Sequence, residues 1–271
     1  VGLTVAGFGG SPFVTAYIAS KLIGEYGPLS TFFYLGVVFL ALLVVLSIPL
    51  RFPAAGWKPA GWAPVAAGPV AVSRDYNTGE MAKTSSFIGL FICFCIGSLA
   101  GLMAIGISSP VATEIIRMDT TLAASLVGVF ALFNGLGRPL FGILTDRLTP
   151  RYAAVINLSV ILAMSVGMMF AAPGSAALYV ACFIGFWLCL GGWLAIAPTT
   201  TAIHFGAHYY SRNYGVMLLA YGLGAILANI ISGQAKDVFG SYLFAFYPTA
   251  ILSAAGIVLA LIFIRPPRES R

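Results

Sequence analysis

Polar positions in this chain are gathered into short clusters separated by long apolar runs. No charged residue occurs from Leu29 to Leu50, nor from Tyr152 to Ile203, a stretch broken only by the turn sequence AAPGS at 171–175. A helix needs ~20 apolar residues to cross the hydrocarbon core of a bilayer. The runs predict eight transmembrane helices, at roughly 3–22, 30–50, 86–107, 122–144, 152–172, 176–198, 214–233 and 243–264. Strands of a membrane barrel would instead alternate polar and apolar residues in ~10-residue segments. The expected fold class is therefore all-α and polytopic. One long loop, 51–85, opens with RFPAAGWKPAGWAPVAAGPVAV and then turns polar as SRDYNTGEMAKTSS. It reads as a flexible linker followed by an interfacial segment.

Composition sharpens this picture. Charged residues make up 8% of the chain, against about 25% in soluble domains. The net charge of +6 would suggest nucleic acid on a soluble protein, but here the charge is sorted by side. One set of span ends and loops holds Arg51, Lys58, Arg74, Lys83, Arg147, Arg151, Arg212 and Arg265, with Arg268 and Arg271 beyond them. The opposite set holds Lys21, Arg117 and Lys236. The positive-inside rule places the first set, and so loop 51–85 and the C-terminus, in the cytoplasm of a plasma or inner membrane. The expected partners are the bilayer and a small solute, not nucleic acid. The first span has neither a charged n-region nor a cleavage site, so it is not read as a signal peptide.

Cys93, Cys95, Cys182 and Cys189 all fall within spans and read as small packing residues rather than a disulfide framework. His204 and His208 are four apart, but no acid or cysteine accompanies them. They read as helix-end residues, with no metal and no cofactor expected. No phosphate-binding loop, serine elbow or metalloprotease motif occurs, so no enzyme activity is expected.

The stretch NGLGRPLFGILTDR, 134–147, carries the strongest chemical signal. Arg138 lies about two turns inside the end of its span. An arginine near the bilayer centre costs at least ~2.5–3.5 kcal/mol. It cannot shed its proton, and its planar fork of donors matches a carboxylate. The acids Glu25, Glu114, Asp119, Asp146 and Asp237 all sit in loops or at span ends. Two readings stay open: an anion-binding role, which is favoured, and a structural ion pair with an acid on a span outside this sequence. Pro139 follows directly and favours a kink.

The same span closes with GILTDRLTPR, in which Gly142, Leu144, Asp146, Arg147 and Arg151 resemble the signature of major facilitator carriers. Gly142 would permit close helix approach. Asp146 would accept from helix N-terminal amides or from Arg147, forming a cytoplasmic latch that favours one of two states. Further stretches are similar to the oxalate/formate antiporter family in chain order. They are GLTVAGFGGSPFVTAYIASKLI at 2–23, YNTGEMAKTSSFIGLFICFCIGSLAGLMAIG at 76–106, NGLGRPLFGILTDR, and RNYGVMLLAYGLGAI at 212–226. The related monocarboxylate transporters also carry an arginine in the corresponding span.

The resemblance implies a twelve-span carrier whose first four spans lie outside this sequence. Residues 1–50 would close the first six-helix half, 51–85 would be the cytoplasmic linker, and 86–271 would form the second half. It also implies two cations on the substrate, an arginine in span eight and a lysine in span eleven. Arg138 matches the first, and the second falls on Tyr221. A tyrosine cannot neutralise a second carboxylate, so oxalate fits less well than a monocarboxylate. With Asn134, Tyr17 and Trp193, these residues make up the expected binding set. The function expected is secondary transport of small organic anions by alternating access. Proton-coupled monocarboxylate symport, with protons as coupling ion, and a non-transporting membrane sensor or scaffold are the alternatives.

Overall fold

A computed structural model describes residues 2–51 and 74–267. Contacts divide the chain into two units, Pro12–Ala71 and Val1–Ser11 with Val72–Arg271. The first helix, α1 (Gly2–Ser47), consists of two helical stretches meeting at Gly27, whose φ of 76° leaves the helical region. Only glycine takes such a φ without strain, and Pro28 follows. The break falls between the first two expected spans. The earlier of these, 3–22, has a helical backbone, but most of its side chains lie outside the described residues. Seven helical stretches among the described residues are long and apolar enough to cross a membrane.

The remaining helices are α2 (Thr78–Ala82), α3 (Ser85–Pro110), α4 (Thr120–Arg147), α5 (Pro150–Met169), α6 (Ala176–Phe205), α7 (Tyr210–Met217), α8 (Leu219–Phe239) and α9 (Phe246–Phe263). A π-turn, Val111–Ile115, extends α3, and a 3₁₀ turn, Tyr242–Ala245, leads into α9. Within this bundle α6 packs against α3, α4 and α5, while α8 packs on α3 and α9 on α5 and α3. Its core is aromatic: Phe183 contacts Phe130, Tyr179, Phe186 and Phe246 with ring centroids 4.5–6.4 Å apart.

One helix runs clearly past its expected span. The sixth expected span, 176–198, ends at Pro198, yet α6 runs through that proline to Phe205. Thr200 and Thr201 donate back to the carbonyls of Ile196 and Ala197 at 2.6 and 2.8 Å. These bonds keep polar side chains satisfied where the spans are apolar. Pro139 lies inside α4, which continues on both sides of it.

Asp119 caps α4, accepting from the amides of Thr121 and Leu122 at 2.9 and 3.1 Å. These backbone bonds hold its carboxyl below the usual carboxylate range. A group lowered in this way stabilises the fold above its unfolded value and loses that contribution as pH falls through its folded value. The Thr121 and Leu122 amide resonances should therefore titrate with a midpoint below ~3.9. A midpoint at or above that value would show that the cap is not formed.

Candidate functional site

Arg138 is fully buried, at 0% exposure, roughly 13 Å along the helix from the Arg147 end of α4. Its place is set by the crossing of α4 and α6. Asn134, Gly137, Arg138 and Phe141 share one face of α4, following the i, i+3, i+4, i+7 spacing. Small residues bring the two backbones into contact along this face. A Cβ on Gly137 would overlap the carbonyl oxygen of Leu188, and one on Gly191 would overlap that of Asn134. A Cβ on Gly192 would overlap the ring of Phe141.

Hydrogen bonds reinforce the crossing. Asn134 Nδ2 donates to the carbonyl of Trp187 at 3.1 Å. On the other side of α6, Asn157 Nδ2 of α5 donates to the carbonyl of Cys189 at 3.0 Å. The arginine thus stands on a wall of three helices whose backbones leave little room to shift.

The guanidinium interacts electrostatically with the hydroxyls of Tyr221, most strongly, and Tyr214. Tyr214 lies on α7 and Tyr221 on α8, seven residues apart and so two turns along one face. Between them Leu218 keeps helical backbone angles, with a local tightening in which the Tyr221 amide bonds the Leu218 carbonyl three residues back, at 3.0 Å. Phe94 of α3 joins this cluster to the core. It stacks on Trp193, with centroids 6.0 Å apart and planes at 26°, and lies 6.2 Å from the ring of Tyr221.

Arg138 and Tyr221, both expected, are thus brought together. Tyr214 and Phe94 were not anticipated. The seven-residue spacing of Tyr214 from Tyr221 is a signal that could have found the first. Phe94, one apolar residue in an apolar run, gave none.

Trp193 is fully buried, with its indole edge against α3 at Gly97, so it supports Phe94 from behind. Asn134 gives one N–H of its amide to α6. The side chain of Tyr17 lies outside the described residues.

The signature residues at the end of α4 differ in detail from expectation. A Cβ on Gly142 would meet only Ala195 Cβ, at 3.9 Å, an ordinary contact, so the close approach expected there occurs instead at Gly137, Gly191 and Gly192. Asp146 and Arg147 are both exposed, and no ion pair joins them. Adjacent helical residues point ~100° apart, which separates the two side chains. The cap of α5 is Thr149, which accepts from the Tyr152 amide at 3.4 Å, with Pro150 at the first helical position. Arg151 lies over the Tyr152 ring, 5.6 Å from its centroid.

His204 is buried, with Nδ1 2.8 Å from Ser86 Oγ, while the His208 backbone amide donates to Asp75 Oδ1 at 3.1 Å. The four cysteines are unbridged.

The chain is 28% identical over its whole length to the oxalate:formate antiporter of Oxalobacter formigenes, of which it spans 62%. Over 78% of its length it is 26% identical to the uncharacterised MFS-type transporter YhjX of Escherichia coli K12, of which the match spans 50%. Monocarboxylate transporter 14 of Mus musculus is 25% identical over 70% of the chain, and 38% of that protein is covered. The chain therefore spans between about two fifths and three fifths of the curated relatives it matches. The profile of the Major Facilitator Superfamily matches residues 1–229. With helices and no strands among the described residues, seven of the helical stretches membrane-length and apolar, this chain belongs to the Major Facilitator Superfamily.

Proposed function

We propose that this chain forms part of a secondary carrier of small organic anions, and that Arg138 binds the substrate carboxylate. The observation that carries this reading is a permanently charged guanidinium, fully buried in the middle of a membrane-length helix, with two tyrosine hydroxyls beside it. An arginine is costly at that depth and is kept there for a function. A carboxylate can take two parallel N–H bonds from its fork, and Tyr214 and Tyr221 can each donate one more. The relatives are consistent with this: one is named an oxalate:formate antiporter and another a monocarboxylate transporter.

The charge balance narrows the substrate. Arg138 supplies one positive charge, while Tyr214 and Tyr221 are neutral donors. A singly charged carboxylate, or a carboxylate carried together with a proton, fits better than oxalate. A second anionic group in a dry cavity would go unmatched. Transport would proceed by alternating access, the helical halves rocking about the bound anion.

Residues 1–50 would belong to one half and 86–271 to the other, with 51–85 as a cytoplasmic linker, the side being assigned from the basic residues. Gly142, Asp146, Arg147 and Arg151 would then lie at the cytoplasmic edge. Since Asp146 and Arg147 make no ion pair with each other, a latch built from them would have to close on another element.

The test is uptake of labelled formate, lactate, pyruvate and oxalate into proteoliposomes holding full-length protein. Uptake of at least one monocarboxylate, competed by the others, is expected, and no uptake of any carboxylate would refute the reading. Tyr221→Lys adds a second cation next to Arg138. A hydrogen bond to a charged group contributes roughly 1.5–3 kcal/mol. The ratio of oxalate to formate uptake should therefore rise about tenfold or more, and an unchanged ratio would remove Tyr221 from the site.

A further inference from the structure

The two tyrosines beside Arg138 are held differently. Tyr221 belongs to α8, which packs along α3, with Gly224 against the α3 backbone at Cys95 and Leu99. Tyr214 belongs to α7, a piece of 8 residues with no side-chain cap at its start. It runs on into α8 through Leu218, but its first turn has no side chain of its own to satisfy the free amides.

The start of α7 is held by α6 and by the segment 74–84, the polar end of the long loop. Asn213, fully buried and adjacent to Tyr214, uses both ends of its amide there. Nδ2 donates to the carbonyl of Tyr76 at 2.8 Å, and Oδ1 accepts from Thr78 Oγ1 at 2.9 Å. The segment is itself firmly built. Asn77 and Glu80 form a reciprocal capping box at α2, and Arg74 pairs with Glu80. The Tyr76 amide donates to the Phe205 carbonyl at 2.9 Å, and Asp75 accepts from the His208 amide. It therefore grips both sides of the turn between α6 and α7.

We propose that Asn213 is a positioning residue for the anion site, and that the docked segment 74–84 sets the site's affinity for carboxylate by fixing where Tyr214 stands. Neighbouring residues on a helix are turned ~100° from each other. Asn213 is bonded to the segment, and its neighbour Tyr214 lies within electrostatic reach of Arg138. Any rotation of α7 that breaks the Asn213 bonds carries the Tyr214 hydroxyl away from the guanidinium. This inference rests on the reading of Arg138 as a carboxylate site.

The experiment is a double-mutant cycle on proteoliposome uptake of labelled formate and lactate by full-length protein, with Asn213→Ala, Tyr214→Phe and the two combined. Asn213→Ala should raise KM about three- to tenfold, with a smaller change in maximal rate. In the Tyr214→Phe background it should raise KM no further, because the group it positions is gone. Thr78→Val removes only one of the two bonds. It should give a smaller rise, also abolished by Tyr214→Phe, and it serves if Asn213→Ala fails to fold.

Rises in KM that add fully in the combined variants would show a general structural role and overturn the inference. So would an unchanged KM in both Asn213→Ala and Thr78→Val. Failure of the underlying reading looks different: uptake would then be absent in the unmodified protein, or unaffected by Arg138→Ala, and the inference would fall with it.

Discussion

Arg138→Ala is expected to abolish carboxylate uptake while the protein still inserts and folds. Burying the guanidinium costs at least ~2.5–3.5 kcal/mol at the centre of a span. Its replacement by alanine lifts that cost and leaves the packing face of Asn134, Gly137 and Phe141 in place. Loss of transport in this variant would therefore report on the site and not on assembly. The size of the loss follows from the bonds removed. A hydrogen bond between charged groups contributes roughly 1.5–3 kcal/mol. Two parallel ones, as an arginine fork makes, correspond to a drop of about a hundredfold or more in carboxylate affinity. Arg138→Lys should recover only part of it, since an ammonium keeps the charge but not the planar fork. Uptake and expression measured together check this. Transport preserved in a well-expressed Arg138→Ala protein would place the anion elsewhere.

The largest effect on stability is expected at Gly191, not at the signature glycine Gly142. A Cβ at Gly191 would overlap the carbonyl oxygen of Asn134, a main-chain atom of the facing helix. Neither α4 nor α6 can yield locally, because Gly137 and Gly192 hold the same crossing at similar closeness and Asn134 and Asn157 pin it with hydrogen bonds. Gly191→Ala should therefore cost at least the ~1–3 kcal/mol typical of overpacking and sharply reduce the monodisperse yield. At Gly142 the added methyl meets only Ala195 Cβ at van der Waals distance. Gly142→Ala should leave the melting temperature unchanged or raise it slightly, as alanine is the better helix former. Thermal unfolding of the two purified variants in detergent measures both. Equal losses would show that the helix crossing has been misjudged.

The contrast between these glycines shows what the sequence could convey. Apolar runs reported seven of the expected spans, because length and hydrophobicity alone decide whether a helix can cross a bilayer. Arg138 stood out because charge at that depth has no cheap explanation. Which glycines make the close contact between α4 and α6 was not legible. Small residues recur all along these helices, and only the crossing of α4 and α6 selects Gly137, Gly191 and Gly192.

The register that put Tyr221 beside Arg138 was readable by counting from a motif. Tyr214 was visible only through its seven-residue spacing from Tyr221. The docking of residues 74–84 was half visible. Asn77 and Glu80 have the spacing of a capping box, but their grip on Asn213, far along the chain, depends on tertiary packing. The apolar run marked the span at 176–198, while the helix itself continues through Pro198 to Phe205.

The claim that Arg138 holds the substrate's carboxylate is tested most directly by equilibrium binding. Labelled formate and pyruvate would be titrated against purified full-length protein in lipid nanodiscs, unmodified and as Arg138→Ala. The account predicts saturable binding, displaced by unlabelled monocarboxylates, in the unmodified protein, and none above background in the variant. Saturable binding of equal affinity in both would contradict it.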